Sequence, residues 1–251
     1  MHARIAEPWS AGAAISSRGS AASGANHMSG EVRRVFIAGA TGYLGTRLAE
    51  ELIRRGHDVS GLVRPGSERK LPAKCMAVPG NALDGASFFD KLGGVDTFAQ
   101  LVGVAHPSPA KAKQFREIDL KSCEQSVAVA VANRIGHFVY VSVAHPAPAM
   151  KAYIEVRTAC EELIRASGLN ATILRPWYVL GPGHYWPYLL KPGYWLARQI
   201  PSMREGAIRV GLVTWREMVA ALAAAVEAPA QGVRVFEVPE IRGKKAEVKK
   251  K

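Results

Sequence analysis

Hydrophobic positions along this chain switch between a continuous-run pattern and a helical period, and each switch marks an element. Val32–Ala38 closes in an unbroken apolar run, the pattern of a short strand buried on both faces. From Tyr43 to Arg55 the spacing turns helical, with Leu44, Leu48, Leu52 and Ile53 on one face and Gly56 placed to end the helix. Asp58–Val63, Cys75–Val78 and Asp96–Val102 read as three further strands. A long helix is expected from about Lys111 to Asn133, with a stripe through Ile118, Val127 and Val131. Phe138–Val141 and Ala171–Leu174 read as strands on either side of a helix over about Ala149–Ser167, and Met218–Val226 as a helix before an extended Val233–Val238. Strand and helix alternating this way predict an α/β fold, a doubly wound parallel sheet with helices on both faces.

Composition bounds the organisation around that sheet. At 251 residues and 48% hydrophobic, the chain can bury one full α/β core. Residues 1–30 are rich in Ala, Ser and Gly without periodicity and without the apolar segment of a secretory signal, so a disordered N-terminal segment is expected. Met28 could itself serve as a start, and Arg4, Arg18 and several serines are compatible with a transit segment. No apolar run reaches the roughly 18 residues that span a membrane. The three cysteines, Cys75, Cys123 and Cys160, form no framework and suit a cytoplasmic protein. Of the net charge of +12, the tail from Glu240 onward supplies +4, and the rest is scattered. No specific nucleic-acid partner is therefore expected, and residues 240–251 read as a disordered basic tail.

The first chemistry lies between the first strand and its helix, in Gly39-Ala-Thr-Gly42-Tyr-Leu-Gly45. Three glycines at this spacing permit a tight turn, a close approach of backbone to a pyrophosphate, and close helix–strand packing. The anion would sit on free N–H groups at the positive end of the helix. This is a Rossmann-type arrangement, and it makes Gly39, Thr41, Gly42, Tyr43, Leu44 and Gly45 candidate cofactor contacts. The second strand ends Gly61-Leu-Val-Arg64, where an NAD-preferring domain usually carries a carboxylate. A guanidinium there can pair with a 2′-phosphate, so NADP(H) is favoured, with NAD(H) as the alternative.

Together these motifs resemble the short-chain dehydrogenase/reductase superfamily, in its extended and atypical NmrA-like branch. The resemblance runs over roughly residues 32–239. It rests on the glycine spacing, on Gly80-Asn-Ala-Leu-Asp84, Ile118-Asp119 and His137–Ser142, and on Leu174-Arg-Pro-Trp-Tyr-Val-Leu-Gly-Pro182. It implies a cofactor-binding domain over 31–239, with a small C-terminal substrate-capping region at about 176–215. It also implies cofactor contacts from Asn81, Ala82, Leu83, Val102, Gly103, Tyr153, Arg157 and Pro176, with Arg157 as the clamp on the nicotinamide ribose. In active members a Tyr-x-x-x-Lys helix carries acid–base chemistry beside a serine; the matching stretch here is Tyr153-Ile-Glu-Val-Arg157. Tyr153 and Arg157 share one helix face, and the fixed cation would favour a tyrosinate without relaying protons. The serine position falls on Ala144, which leaves Ser142 as a structural serine and His145 as a substitute donor. Tyr153, Arg157 and His145 are thus the candidate catalytic residues.

Two near-duplicate loops, Ala105-His-Pro-Ser-Pro109 and Ala144-His-Pro-Ala-Pro148, each follow a strand and should border the cleft. No third ligand joins His106 and His145, so no metal site is expected. Residues 177–195 hold seven of the chain's 19 aromatics, which predicts an aromatic wall around a flat or apolar ligand. His106, Trp177, Tyr178, His184 and Trp186 are the candidate substrate-pocket residues. The expected function is an NADP(H)-dependent oxidoreductase for a small, largely apolar carbonyl or hydroxyl compound, as monomer or homodimer. Ala144 and Arg157 in catalytic positions keep a second reading open: a non-catalytic NADP(H)-binding redox sensor or assembly protein. Charge alone prompts a third, an RNA binder.

Overall fold

The computed structural model describes residues 31–147, 149–183, 199–200, 205–206 and 208–243. Seven strands build the main sheet: β1 (Arg34–Ala38), β2 (Asp58–Val63), β3 (Met76–Pro79), β4 (Thr97–Gln100), β5 (His137–Val141), β6 (Ala171–Leu174) and β9 (Val233–Phe236). Their order is β3-β2-β1-β4-β5-β6-β9, and every neighbouring pair is parallel. A separate parallel pair, β7 (Tyr178–Leu180) and β8 (Leu212–Thr214), lies in the stretch expected to cap the substrate. This is a doubly wound, Rossmann-like sheet, with chain order reversing direction between β1 and β4.

Period-two alternation sorts the strand residues onto the two faces. Phe36, Phe98 and Phe138 lie in register across β1, β4 and β5, with ring centroids 5.0 and 5.3 Å apart. They pack toward α3 (Lys121–Ala132) and α4 (Lys151–Ala166). Val35, Ile37, Ala99 and Val139 face the other way, onto Leu48 and Leu52 of α1 (Tyr43–Arg54) and Met218 and Leu222 of α5 (Trp215–Glu227). A capping box at Thr214, with Glu217 as its reciprocal partner, fixes the start of α5.

Three expectations change. The segment read as one helix from Lys111 to Asn133 is composite: a short α2 (Ala112–Gln114), a π-helical stretch over Phe115–Leu120, then α3. The buried face runs through Phe115, Asp119, Ser122, Cys123, Ser126 and Val127, while Ile118 is half-buried and Val131 is 44% exposed. The wider π turn shifts the phase. The face also carries small polar residues, one of which the sheet engages: Gln100 Nε2 donates to Ser122 Oγ at 3.0 Å. Apolar spacing was therefore a poor guide to it. Finally, the boundary expected at 240 falls inside a short α6 (Val238–Ile241) that packs on α5.

Candidate cofactor and active site

The turn from β1 to α1 is shaped by what its glycines leave open. Gly39 has φ +89°, and a Cβ there would stand 2.9 Å from the carbonyl carbon of Leu101. A Cβ on Gly45 would collide with Gly39 O and lie 2.8 Å from Ala40 Cα, so the helix could not seat against the turn. Gly42 is the N-cap residue; no side chain caps α1 and its first turn carries no acidic residue. An uncapped helix N-terminus over a glycine turn is a cradle for a phosphate-type anion.

The turn opens into a cleft of about 340 Å³ at the carboxyl ends of the strands, where the sheet reverses direction. Gly39, Thr41 and Gly42 form one side of it, and Arg64, exposed just past β2, another. Asn81, Ala82 and Leu83 follow β3, and Val102 and Gly103 follow β4. Asn81 is set by an Asx turn: its Oδ1 accepts from Leu83 N at 3.0 Å, while its own N–H donates to Ser87 Oγ at 2.8 Å. The cradle, the switch-point position and a cation at the end of β2 fit a dinucleotide. Nine residues singled out in the sequence thus meet in one cleft. Leu44 and Gly45 belong to α1 behind it; Tyr43 is turned aside, its ring under Arg47 at 4.1 Å and its Oη against Gly181. A larger cleft, about 570 Å³, opens at the opposite ends of β1 and β2. Two of its rim cations are engaged internally: Arg34 pairs with Asp96, and Lys91 Nζ donates to Pro79 O and Ser87 O.

Behind Gly103 lies an ion pair. Arg157 and Asp119 are both buried, and Arg157 Nη2 donates to Asp119 Oδ1 at 2.5 Å. Arg157 Nη1 donates to Val141 O at 2.8 Å and Tyr140 Oη at 3.2 Å, and Asp119 Oδ2 accepts from Val104 N at 3.0 Å. A Cβ on Gly103 would run into Arg157 Nη2, so the loop after β4 lies directly on the guanidinium. Arg157 therefore spends its Nη1 and Nη2 donors on protein partners under the cleft.

Tyr153, one turn earlier on α4, is half-buried between Phe115, at 5.0 Å between centroids, and Arg157, whose Cζ stands 5.0 Å from its ring. Burial pushes the Tyr153 hydroxyl above its ordinary value by more than the Arg157 charge pulls it down. The tyrosinate expected from the i, i+4 pairing is thus not favoured: burial outweighs the Arg157 charge, and the nearby Asp119 charge adds to the rise. Ala144 is fully buried and donates its N–H to Pro176 O at 2.9 Å. Ser142 Oγ donates to Glu161 Oε1 at 2.6 Å, the structural role expected of it. His145 turns Nε2 inward, 3.4 Å from the same Glu161 oxygen. His106 is exposed with φ +49°, and Trp177 and Tyr178 are half-buried in edge contact at 5.4 Å. His184 and Trp186 lie outside the described residues. Among the described residues no group of three or more His, Cys, Asp or Glu side chains could hold a metal ion.

Asp119 and Arg175 were quoted in the sequence only as parts of motifs, and Glu161 was missed. A signal existed for Glu161: it follows Tyr153 and Arg157 at i+8 and i+4 on one face of α4, and a buried carboxylate requires a cation.

Uncapped helix, glycine turn and switch-point cleft define a nucleotide-binding Rossmann protein, and comparison with known proteins narrows the class. The chain belongs to the NAD(P)H-binding family, whose model matches residues 39–183. It is 28% identical over 232 residues to a 3-diazoavenalumate denitrifying reductase from Streptomyces, covering 79% of this chain and 74% of that protein. It is 27% identical to the chloroplastic protein TIC 62 of Pisum sativum over 57% of this chain, but spans only 32% of that protein's length. Among solved structures, WbmH of Bordetella bronchiseptica in complex with NAD+ matches with a TM-score of 0.62 at 23% identity, covering 82% of this chain and 76% of that one. A short-chain dehydrogenase/reductase superfamily protein from Agrobacterium tumefaciens with bound NAD matches at 0.60 and 18% identity, over 81% and 77%. The protein is thus NAD(P)-binding. No helix among the described residues is long and apolar enough to cross a membrane.

Proposed function

We propose that this protein is an NADP(H)-dependent oxidoreductase acting on a small, largely apolar carbonyl or hydroxyl compound. The observation that carries the reading is the cleft itself, with the glycine cradle on one side and Arg64 at the end of β2. The N-terminus of α1 would hold the pyrophosphate, and Arg64 would pair with the 2′-phosphate through charge-assisted hydrogen bonds. When bound, the reduced nicotinamide supplies a hydride. Tyr153 would hold the proton for the substrate oxygen, and burial pushes its hydroxyl up, so it stays protonated near neutral pH. The likeness to a Streptomyces reductase supports the reductive direction. Arg157 acts through its field and through the loop it carries, and moves no proton. Trp177 and Tyr178 offer an aromatic surface to a flat substrate. The protein works in the cytoplasm, as a monomer or homodimer.

A second reading is supported by one specific feature. Arg157 is consumed by Asp119, and Ala144 stands where a hydroxyl would assist, which suits an NADP(H)-binding sensor that turns over nothing. NADPH oxidation across a panel of aldehydes, ketones and quinones separates the two. Turnover that falls at least tenfold in Tyr153→Phe is expected of the enzyme; an inactive panel with tight NADPH binding is expected of the sensor.

A further inference from the structure

Glu161 is fully buried near the middle of α4, and four polar side chains from three elements converge on it. Ser142, at the start of the loop after β5, donates to Oε1 at 2.6 Å, and His145, three residues on, lies 3.4 Å from the same oxygen. Arg175, at the start of the loop after β6, donates through Nε to Oε1 at 2.9 Å and through Nη2 to Oε2 at 2.5 Å. Arg165, one turn further along α4, donates to Oε2 at 3.1 Å. Burial pushes the carboxyl up, but the bonds from Arg175 and Ser142 and the Arg175 charge outweigh it, so Glu161 is held ionised. The two loops are also joined by backbone bonds, Ser142 N to Leu174 O at 2.7 Å and Ala144 N to Pro176 O at 2.9 Å. Arg175 reaches on to Glu237 Oε1 at 2.8 Å, anchoring the set to the residue that caps α6.

The loops so joined carry or lead into every candidate substrate-side residue after β5 and β6 that the structure describes: His145 on one, Trp177 on the other, with Tyr178 next to it at the start of β7. Cofactor contacts in the cleft come from β1 to β4 instead. We propose that Glu161 is a positioning residue for substrate: one buried carboxylate sets both substrate-side loops, and does so independently of the cofactor cradle. The inference rests on the oxidoreductase reading for its kinetic consequence, though not for its structural one.

The full-length wild type is compared with Glu161→Gln, which keeps the shape and removes the charge, and with two milder variants. Ser142→Ala removes only the tie to the β5 loop; Arg175→Lys keeps the charge of the β6 loop tie and loses its fork. Three readouts are taken: hydrogen exchange, NADPH affinity by calorimetry, and KM and kcat for 9,10-phenanthrenequinone, a flat apolar dicarbonyl. In Glu161→Gln, amides of 142–147 and 175–180 exchange at least about tenfold faster while those of 39–45 are unchanged. NADPH affinity stays within about twofold, and kcat/KM for the quinone falls by up to about 10²-fold, chiefly through KM, as for a substrate misplaced by about an ångström. Each milder variant loosens its own loop more than the other, which keeps the idea testable if Glu161→Gln does not fold. Unchanged exchange in both loops, or exchange rising equally at 39–45, overturns the assignment. A wild type that binds no NADPH or leaves the quinone untouched refutes the oxidoreductase reading instead, and the exchange result still decides the role of Glu161.

Discussion

Removing Asp119 strands a permanent cation in the protein interior, which makes Asp119→Ala the sharpest perturbation the structure offers. Arg157 is 5% exposed and Asp119 1%, so neither charge has water to fall back on. Arg157 cannot escape by losing its proton. Breaking a buried pair from one side costs about 3–5 kcal/mol, since the remaining charge is left uncompensated. Val104 N loses its acceptor in the same variant, adding about 1–3 kcal/mol if the loop does not relax toward water. Against a total stability of about 5–15 kcal/mol, the loss leaves a marginal fold. At roughly 2–4 °C per kcal/mol for a chain of this size, 3–5 kcal/mol lowers Tm by about 6–20 °C. Urea unfolding of Asp119→Ala, Arg157→Met and the Asp119→Leu/Arg157→Met double variant measures the coupling. The double variant should be more stable than Asp119→Ala, because two apolar side chains replace the pair without leaving a charge behind. If Asp119→Ala costs under about 1 kcal/mol, or the double variant is the least stable of the three, the account of Arg157 as a buried strut is wrong.

Gly45→Ala should abolish measurable NADPH binding in a calorimetric titration, because its Cβ would collide with Gly39 O and displace the helix end that cradles the anion. His137 should make stability pH-dependent. Burial, with the nearby charges of Arg234 and Arg33, holds it down from 6.5 to about 4, so the fold selects neutral imidazole. That contribution is complete above pH 6.5 and is lost as pH falls from there toward 4, about 3 kcal/mol in all. Urea unfolding of wild type and His137→Gln between pH 7 and 4 reads it: the variant's curve should be flatter, and parallel curves would refute the assignment.

Where sequence and structure agree, the signal was an apolar run or a glycine. β2 and β6 fall on their expected residues, because a strand buried on both faces leaves little choice of register. The cradle was legible because only glycine meets its steric demands at Gly39 and Gly45, and the triplet spacing marks the turn. The π-helical turn over Phe115–Leu120 was not legible, since nothing in hydrophobic spacing distinguishes an i→i+5 turn from an α-helical one. Nor was the engagement of Arg157. A sequence shows that a cation stands at i+4 from Tyr153, but not that Asp119, 38 residues earlier, takes up that charge first. The same holds for His145, whose loop could face the cleft but whose Nε2 is drawn to Glu161. Pair interactions across elements decide these cases, and they are invisible to local pattern.

The central claim, that the cleft takes NADP(H) and that Arg64 makes the choice, is tested most directly by titrating NADPH and NADH into wild type and Arg64→Ala by calorimetry. Charge-assisted hydrogen bonds to the 2′-phosphate, worth about 1.5–3 kcal/mol, predict that wild type binds NADPH roughly 10- to 100-fold tighter than NADH. Arg64→Ala should bring the two affinities together by weakening NADPH alone. Equal affinities in the wild type, or a preference that survives the loss of Arg64, would contradict the account.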